Sequence, residues 1–288
     1  LAYVLLGATY SVMAIDGFSR PTECWPVADR YLKKAVELDP GVPDARFLAA
    51  DQEFFFNWNF DRAEQIWQGI VADSRVVVDP DWYRVRALRF WALGRPDQAL
   101  DAIRFARQLD PVQIALRIAE GDYLLHSNQL DAAIAKYQEV IRDSVSDPRA
   151  YFGLSEAYFL QRRFDDALDA RREAARIVDD PALDEVLLKA RGEAGFREVE
   201  REAARLQIGD LTVRAKSGGY VSPLDFARAF AQIAEVEQAF KYFEPAFADR
   251  APALLFLNVD RSWDGVRKDS RFVKAVKRVG LPVVSSPS

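Results

Sequence analysis

The stretch GDYLLHSNQLDAAIAKYQEV, residues 121–140, contains two helical patterns and the break between them. In its first half the small Gly121 precedes the bulky Leu124 by three positions. The polar run Ser127-Asn128-Gln129 interrupts the pattern, as a turn does. In its second half Ala133, Tyr137 and Val140 stand at offsets 0, 4 and 7, which is one face of an α-helix. The segment predicts a helical hairpin in which an A helix reverses into a B helix.

Moving outward, the same alanine recurs at Ala28, Ala63, Ala99, Ala133, Ala167, Ala204 and Ala239, with successive spacings of 35, 36, 34, 34, 37 and 35 residues. Such spacing fits a repeat of about 34 residues. Four positions later come Leu32, Trp67, Ile103, Tyr137, Arg171, Ile208 and Phe243, all large, with Arg171 the one charged member. Seven positions later come Ala35, Ile70, Ala106, Val140, Ala174, Leu211 and Ala246. Upstream, small and bulky residues pair at Gly7/Tyr10, Ala87/Phe90, Gly121/Leu124, Ser155/Tyr158 and Ala227/Phe230. A small residue lets two helix backbones approach while the bulky one fills the adjacent gap.

Asp-Pro occurs at Asp39-Pro40, Asp79-Pro80, Asp110-Pro111, Asp147-Pro148 and Asp180-Pro181. Proline disfavours helical geometry in the residue before it, so each pair closes one hairpin and can open the next. Asp61, Asp97, Asp131 and Asp165 lie near the starts of B helices, where capping and the helix dipole favour acids. Asp61 and Glu64 have the spacing of a capping box.

Half of the 288 residues are hydrophobic and 29% are charged, which gives ample material for a core and no disorder signature. The formal charge is -5 with both signs interleaved, which argues against nucleic acid as a partner. No run approaches the roughly 18 consecutive apolar residues that a membrane span needs. Leu1 to Leu6 is too short, and lacks the basic flank, for a signal peptide. The lone Cys24 permits no intrachain disulfide; the cytoplasm is favoured and the periplasm stays open. The chain starts at Leu1 with no cap before its apolar run, which predicts a segment of a longer protein.

Catalytic signatures are missing: the sequence has no phosphate-binding loop, dinucleotide glycine fingerprint, His-Glu-x-x-His or Gly-x-Ser-x-Gly. The single histidine, His126, falls near a turn and reads as a helix-end residue. Cys24 has no second cysteine or histidine beside it to make a metal site. Gly218-Gly219 reads as a turn before the last hairpin. The expectation is no catalytic residue, no metal and no cofactor.

These features together resemble the tetratricopeptide family. The match is clear in about five units up to Pro181, degenerate around Gly192 and Gly195, and returns at Pro223 to Ala248. The resemblance implies an all-α, right-handed superhelical solenoid of about seven antiparallel helix hairpins with a C-terminal capping helix. It divides the chain into five units over 1–181 with an insertion at 16–26, a degenerate sixth and a seventh unit over 182–250, and a cap and tail over 251–288. The insertion, and the long turn Phe56-Asn57-Trp58-Asn59-Phe60, look similar to repeat regions that follow effector domains in bacterial signalling proteins such as winged-helix regulators, kinases and nucleotide cyclases. The ending, from Tyr220-Val221-Ser222-Pro223 through Leu254–Asp260 to Trp263-Asp264 and Asp269-Ser270-Arg271-Phe272, resembles theirs, with Arg261 and Ser270 where prolines are expected. Val266, Phe272, Val276 and Val279 predict the apolar side of the closing helix.

In the family, A-helix side chains not used in packing line a concave ligand surface. By register these are Phe47, Asp51 and Phe54; Asp81, Arg84, Leu88 and Trp91; Ile118, Asp122 and Leu125; and Arg149, Phe152, Glu156 and Phe159. The Lys, Asn and Arg cluster of the chaperone-binding members is missing. The expected partner is a protein or peptide segment with apolar anchors and some positive charge, held by Phe47, Asp51, Phe54, Arg84, Trp91, Asp122, Phe152, Glu156 and Phe159, with the aromatics as anchors. The alternative is a small-molecule sensor domain controlling an attached effector. That would need an enclosed pocket with convergent polar groups.

Overall fold

The structure is a computed structural model that describes residues 1–77, 79–144 and 146–282. Residues 283–288, the end of the expected cap and tail, lie outside the described residues. Among the described residues the chain is all-α, without strands. The hairpins are α1 (Ala2–Ile15) with α2 (Pro21–Leu38), α3 (Pro43–Asp51) with α4 (Phe60–Val71), α5 (Pro80–Ala92) with α6 (Pro96–Leu109), α7 (Ile114–His126) with α8 (Leu130–Asp143), and α9 (Pro148–Leu160) with α10 (Phe164–Val178). Then come α11 (Asp184–Lys189), the long α12 (Gly192–Lys216), α13 (Pro223–Gln232), α14 (Val236–Lys241), α15 (Phe243–Ala248) and α16 (Ser270–Val279).

The seven landmark alanines are all buried, at 2% exposure or less, because a B helix turns that position onto its own A helix. The inner turns share one geometry. Gly94, Asn128, Arg162 and Ala234 each adopt left-handed φ, between 57° and 69°. The next residue's N–H closes back onto the carbonyl of Phe90, Leu124, Tyr158 or Phe230 at 2.9 Å. This five-residue closure satisfies carbonyls at the end of the A helix, and its acceptors are the bulky residues of the small/bulky pairs.

Two expectations about helix starts change. Asp79 and Asp147 do cap, accepting the N–H of Asp81 at 2.7 Å and of Arg149 at 3.0 Å, with proline first in the helix. The B-helix aspartates do not occupy the cap position: Asn59, Arg95, Gln129 and Arg163 do. Asn59 accepts from Arg62 N–H at 3.3 Å, so Asp61 and Glu64 form no capping box. Asp131 and Asp165 accept instead from Gln161 and from the Gly192 N–H. Where prolines were expected at Arg261 and Ser270, Asp260 and Asp269 cap the turn and the helix, each at 2.8 Å.

By packing the chain divides into a terminal unit, Leu1–Val78 with Ile208–Ser288, and a central unit, Asp79–Gln207. Helix α12 contributes residues to both.

In the central unit α5, α7 and α9 pack in succession, each also against its own B helix. Their core holds Ile103, Leu116, Leu124, Tyr137 and Val140. A second cluster gathers Leu168, Leu183, Leu187, Phe196 and Val199. A charged layer lies between α6, α7 and α8. The buried Glu120 meets Arg107, Arg104 at 3.4 Å and Lys136 at 3.5 Å, while the buried Arg117 meets Glu139 at 3.1 Å and Asp143 at 2.6 Å. The Lys136 hydrogen bond holds the Glu139 carboxyl below its ordinary range.

In the terminal unit Gly7 lets α1 approach α2: a Cβ there would stand 2.6 Å from Leu32 Cδ2. Of the residues 16–26 expected as an insertion, Pro21–Pro26 belong to α2, with Cys24 and Trp25 buried. Burial pushes the Cys24 thiol up, which keeps it protonated and inert. The long turn after α3 is a π-helical turn, Gln52–Asn57, ended by Trp58 at φ 58°. Its extra residue per turn goes with the burial of two successive side chains, Phe54 and Phe55.

The expected closing helix is α16. Val266 lies in the turn before it, and all four of its predicted apolar residues are buried. Phe272 packs against Phe243 and Trp263, Arg271 forks onto Glu237 at 2.9 Å, and Arg278 meets Glu244 at 2.7 Å.

Candidate partner-binding surface

Of the nine expected contact residues, three belong to the terminal unit and all three are buried. Phe47 lies edge-on to Trp67, Phe54 packs on Phe55 and Phe60, and Asp51 is 3% exposed. As placed, these three support the second hairpin. The π-helical turn is the reason for Phe54, since it draws that ring inward.

The other six lie on α5, α7 and α9 of the central unit. Trp91 stacks on His126 at 4.5 Å and is edge-on to Tyr123. Phe159 stacks on Phe196 at 4.5 Å and meets Phe164. Both therefore bridge neighbouring hairpins. Phe152 keeps 37% of its surface exposed, with the Arg171 guanidinium over its ring at 4.6 Å. This explains the arginine in the bulky series: its stem fills the position, and its head is spent on Phe152 and on Glu200 at 3.1 Å. Of the further residues in the register, Ile118 and Leu125 are core.

What remains at the surface gathers around two tyrosines. Tyr137, rooted in α8 and fully buried, donates its hydroxyl to Asp122 on α7 at 2.7 Å. It reaches there between two glycines. A Cβ on Gly121 would lie 2.7 Å from Tyr137 Cε1, and one on Gly153 would lie 2.3 Å from Cζ. Burial pushes the Asp122 carboxyl up to about 6, against the opposing pull of the Tyr137 hydrogen bond and of Arg149. Burial likewise raises Tyr137, helped by the charges of Asp122 and Glu156, and raises Tyr123, where Asp122 adds to it and Arg84 opposes it. Thus Arg84, Asp122 and Glu156, from three successive A helices, act on this pair of hydroxyls, and Arg149 acts on Asp122. The tyrosine was legible only as a bulky core residue. The one signal for its reach is Gly153, a second glycine that the repeat pattern does not require.

The residues on this face fall within the part of the chain that matches a family model. The tetratricopeptide repeat model matches residues 84–144 and again 118–181. Residues 84–181 are tetratricopeptide repeats. Repeats of this family bind protein or peptide partners and are generally non-catalytic scaffolds. No curated relative matches the chain. Among solved structures, YrrB, described as a TPR protein with an unusual peptide-binding site, is similar at 18% identity and TM-score 0.45, over 63% of this chain and 87% of its own. MamA is similar at 14% identity and TM-score 0.47, over 62% of this chain and 99% of its own, and in a further crystal structure at 19% and 0.45, over 62% and 96%. Among the described residues no helix is long and apolar enough to cross a membrane, and no cluster of three or more His, Cys, Asp or Glu could hold a metal ion.

Proposed function

We propose that the chain is a protein-binding scaffold or regulatory arm that receives a partner segment on the face shared by α5, α7 and α9. One observation carries this: on three successive A helices of the repeats, Arg84, Asp122, Phe152 and Glu156 keep polar or aromatic surface, whereas Ala99, Ala133 and Ala167 of the B helices are fully buried. Trp91 and Phe159 support the face as bridges between hairpins, and Phe152 is the apolar contact on offer. The repeat register of five units to residue 181, a sixth and seventh to 250, and the cap from 251 remains the frame for this reading.

In the parent protein the arm serves an effector domain of a bacterial signalling system. Support for this is the similarity of the insertion and of the ending from Tyr220 to Phe272 to such arrays. The test is capture of partners by the longer protein, followed by affinity measurement on the chain carrying Phe152→Ala with Glu156→Lys. A loss of at least tenfold is expected. Unchanged affinity in a variant that keeps its helicity removes this face from the reading.

A further inference from the structure

The Asp122 carboxylate sits in an unusual setting for a repeat core. Glycine inside a helix costs about 0.5–1 kcal/mol relative to alanine, and the central unit carries it on two successive A helices, at Gly121 and Gly153. Neither position could hold a Cβ without displacing the Tyr137 ring. What the pair permits is the passage of one hydroxyl from the buried layer to Asp122.

That bond uses one acceptor site of a carboxylate that has about four. The cations nearby are engaged elsewhere. Arg149 forks onto Asp147 at 3.0 and 2.6 Å, and Arg84 bonds Asp81 at 3.1 Å. Among the described residues no lysine or arginine forms an ion pair with Asp122. A half-buried carboxylate without a cation is costly, and a cation arriving from outside relieves that cost. Asp122 is also fixed before anything arrives, and such preorganisation favours binding.

We propose that Asp122 holds a single lysine or arginine side chain of the partner segment, with the Tyr137 hydroxyl anchoring the carboxylate from behind through the gap between Gly121 and Gly153. This rests on the partner-binding reading above and names the charge that the partner carries. Phe152, on the neighbouring α9, keeps 37% of its surface exposed as the apolar contact for the same segment. The charged groups acting on the Asp122–Tyr137 pair are Arg149 on Asp122 and Glu156 on Tyr137, both from α9, while Arg84 from α5 acts on the adjacent Tyr123 of α7. None of these neutralises Asp122 by direct contact, so binding should weaken as pH falls through the Asp122 titration.

The test pans the full chain against a random nonapeptide phage library, then synthesises the recovered peptides with each basic residue replaced by citrulline or norleucine. The expected result is a shared Lys or Arg whose replacement weakens binding at least tenfold in the wild type and less than twofold in Asp122→Asn, which can still accept the Tyr137 hydroxyl. Tyr137→Phe should keep the preference but move the midpoint of its pH profile upward, because the carboxylate loses its donor. Recovered peptides without a basic residue, or an equal loss in wild type and Asp122→Asn, overturn the proposal. If such peptides still respond to Phe152→Ala, the partner surface stands and only the Asp122 assignment falls. Recovery of no peptide overturns both. Displacement by free arginine or spermidine at the peptide's own affinity also overturns the assignment, in favour of a metabolite.

Discussion

Arg20, at the start of α2, donates to the carboxylate of Asp249, 229 residues further along the chain. Asp249 is buried, also accepts from the Tyr220 hydroxyl at 3.1 Å, and the Arg20 guanidinium lies over the Tyr220 ring. The contact does not stand alone. Arg250 covers the Trp58 ring at 4.3 Å and reaches the Phe56 carbonyl, Trp58 is edge-on to Phe247, and Arg214 bonds the Gly17 carbonyl. The first hairpins and the last are thereby one packed body.

Asp249→Ala removes the buried acceptor shared by the Arg20 guanidinium, which keeps Glu23 at 3.3 Å, and the half-buried Tyr220 hydroxyl. The expected cost is about 2 kcal/mol, kept below that of a fully buried pair because Arg20 is 46% exposed. Arg20→Ala should cost less, since Tyr220 still satisfies Asp249. Urea unfolding measures both, and equal stability of Asp249→Ala and wild type would rule out the clasp.

Gly153→Ala places a methyl into the Tyr137 ring. Overpacking of this kind costs about 1–3 kcal/mol and outweighs the gain of about 0.5–1 kcal/mol in helix propensity. A Cβ on Gly209, in α12, would meet no heavy atom within 4 Å, so Gly209→Ala should be neutral or stabilising. Thermal melts should show a lowered midpoint for Gly153→Ala and none for Gly209→Ala; a Gly153→Ala protein as stable as wild type would contradict the close approach of the ring.

Asp122 has a folded-state pKa of about 6, above the 3.8 of an ordinary aspartate. Between these values the native state binds more protons than the unfolded chain, so stability falls as pH rises. Asp122→Asn should stabilise the protein at pH 7 by about 1–3 kcal/mol, with the difference vanishing below about pH 4. Parallel pH profiles for the two proteins would contradict the burial of this charge.

Ala234 holds a left-handed backbone at φ 63°, where a Cβ costs about 1–2 kcal/mol. Ala234→Gly should therefore raise stability by about 0.5–1 kcal/mol after glycine's entropy is counted. A lowered melting temperature would show that the methyl is needed there.

Phe272→Ala should cost about 3 kcal/mol, because its ring fills the space between Phe243 and Trp263. Truncation before Asp260 removes Trp263 and Phe272 together and should give aggregation or loss of helicity. A truncated chain that stayed monomeric and fully helical would deny the segment its capping role.

The hairpins, their pitch and their inward faces were legible because helical burial follows a local period. Alanine at offset 0 and a large side chain at offset 4 recur wherever a B helix meets its A helix. Arg171 looked like an exception, and its stem obeys the same rule. The aspartates near the B-helix starts misled by two residues, since an acid in the first turn and an acid in the cap position leave nearly the same trace in a sequence. On the candidate face, register placed Arg84, Asp122, Phe152 and Glu156 on successive A helices. It could not separate them from Phe47, Asp51 and Phe54, which are buried: Phe47 packs on Trp67 and the π-helical turn carries Phe54 inward.

The sequence by itself determined that the chain folds as helical hairpins of about 34 residues and which side of each helix turns inward, because these depend on neighbours three to seven residues apart. Only the tertiary structure decided that Arg20 meets Asp249 and that Tyr137 emerges between Gly121 and Gly153 to hold Asp122. Those contacts depend on how closely separate helices approach, and no local period encodes that distance.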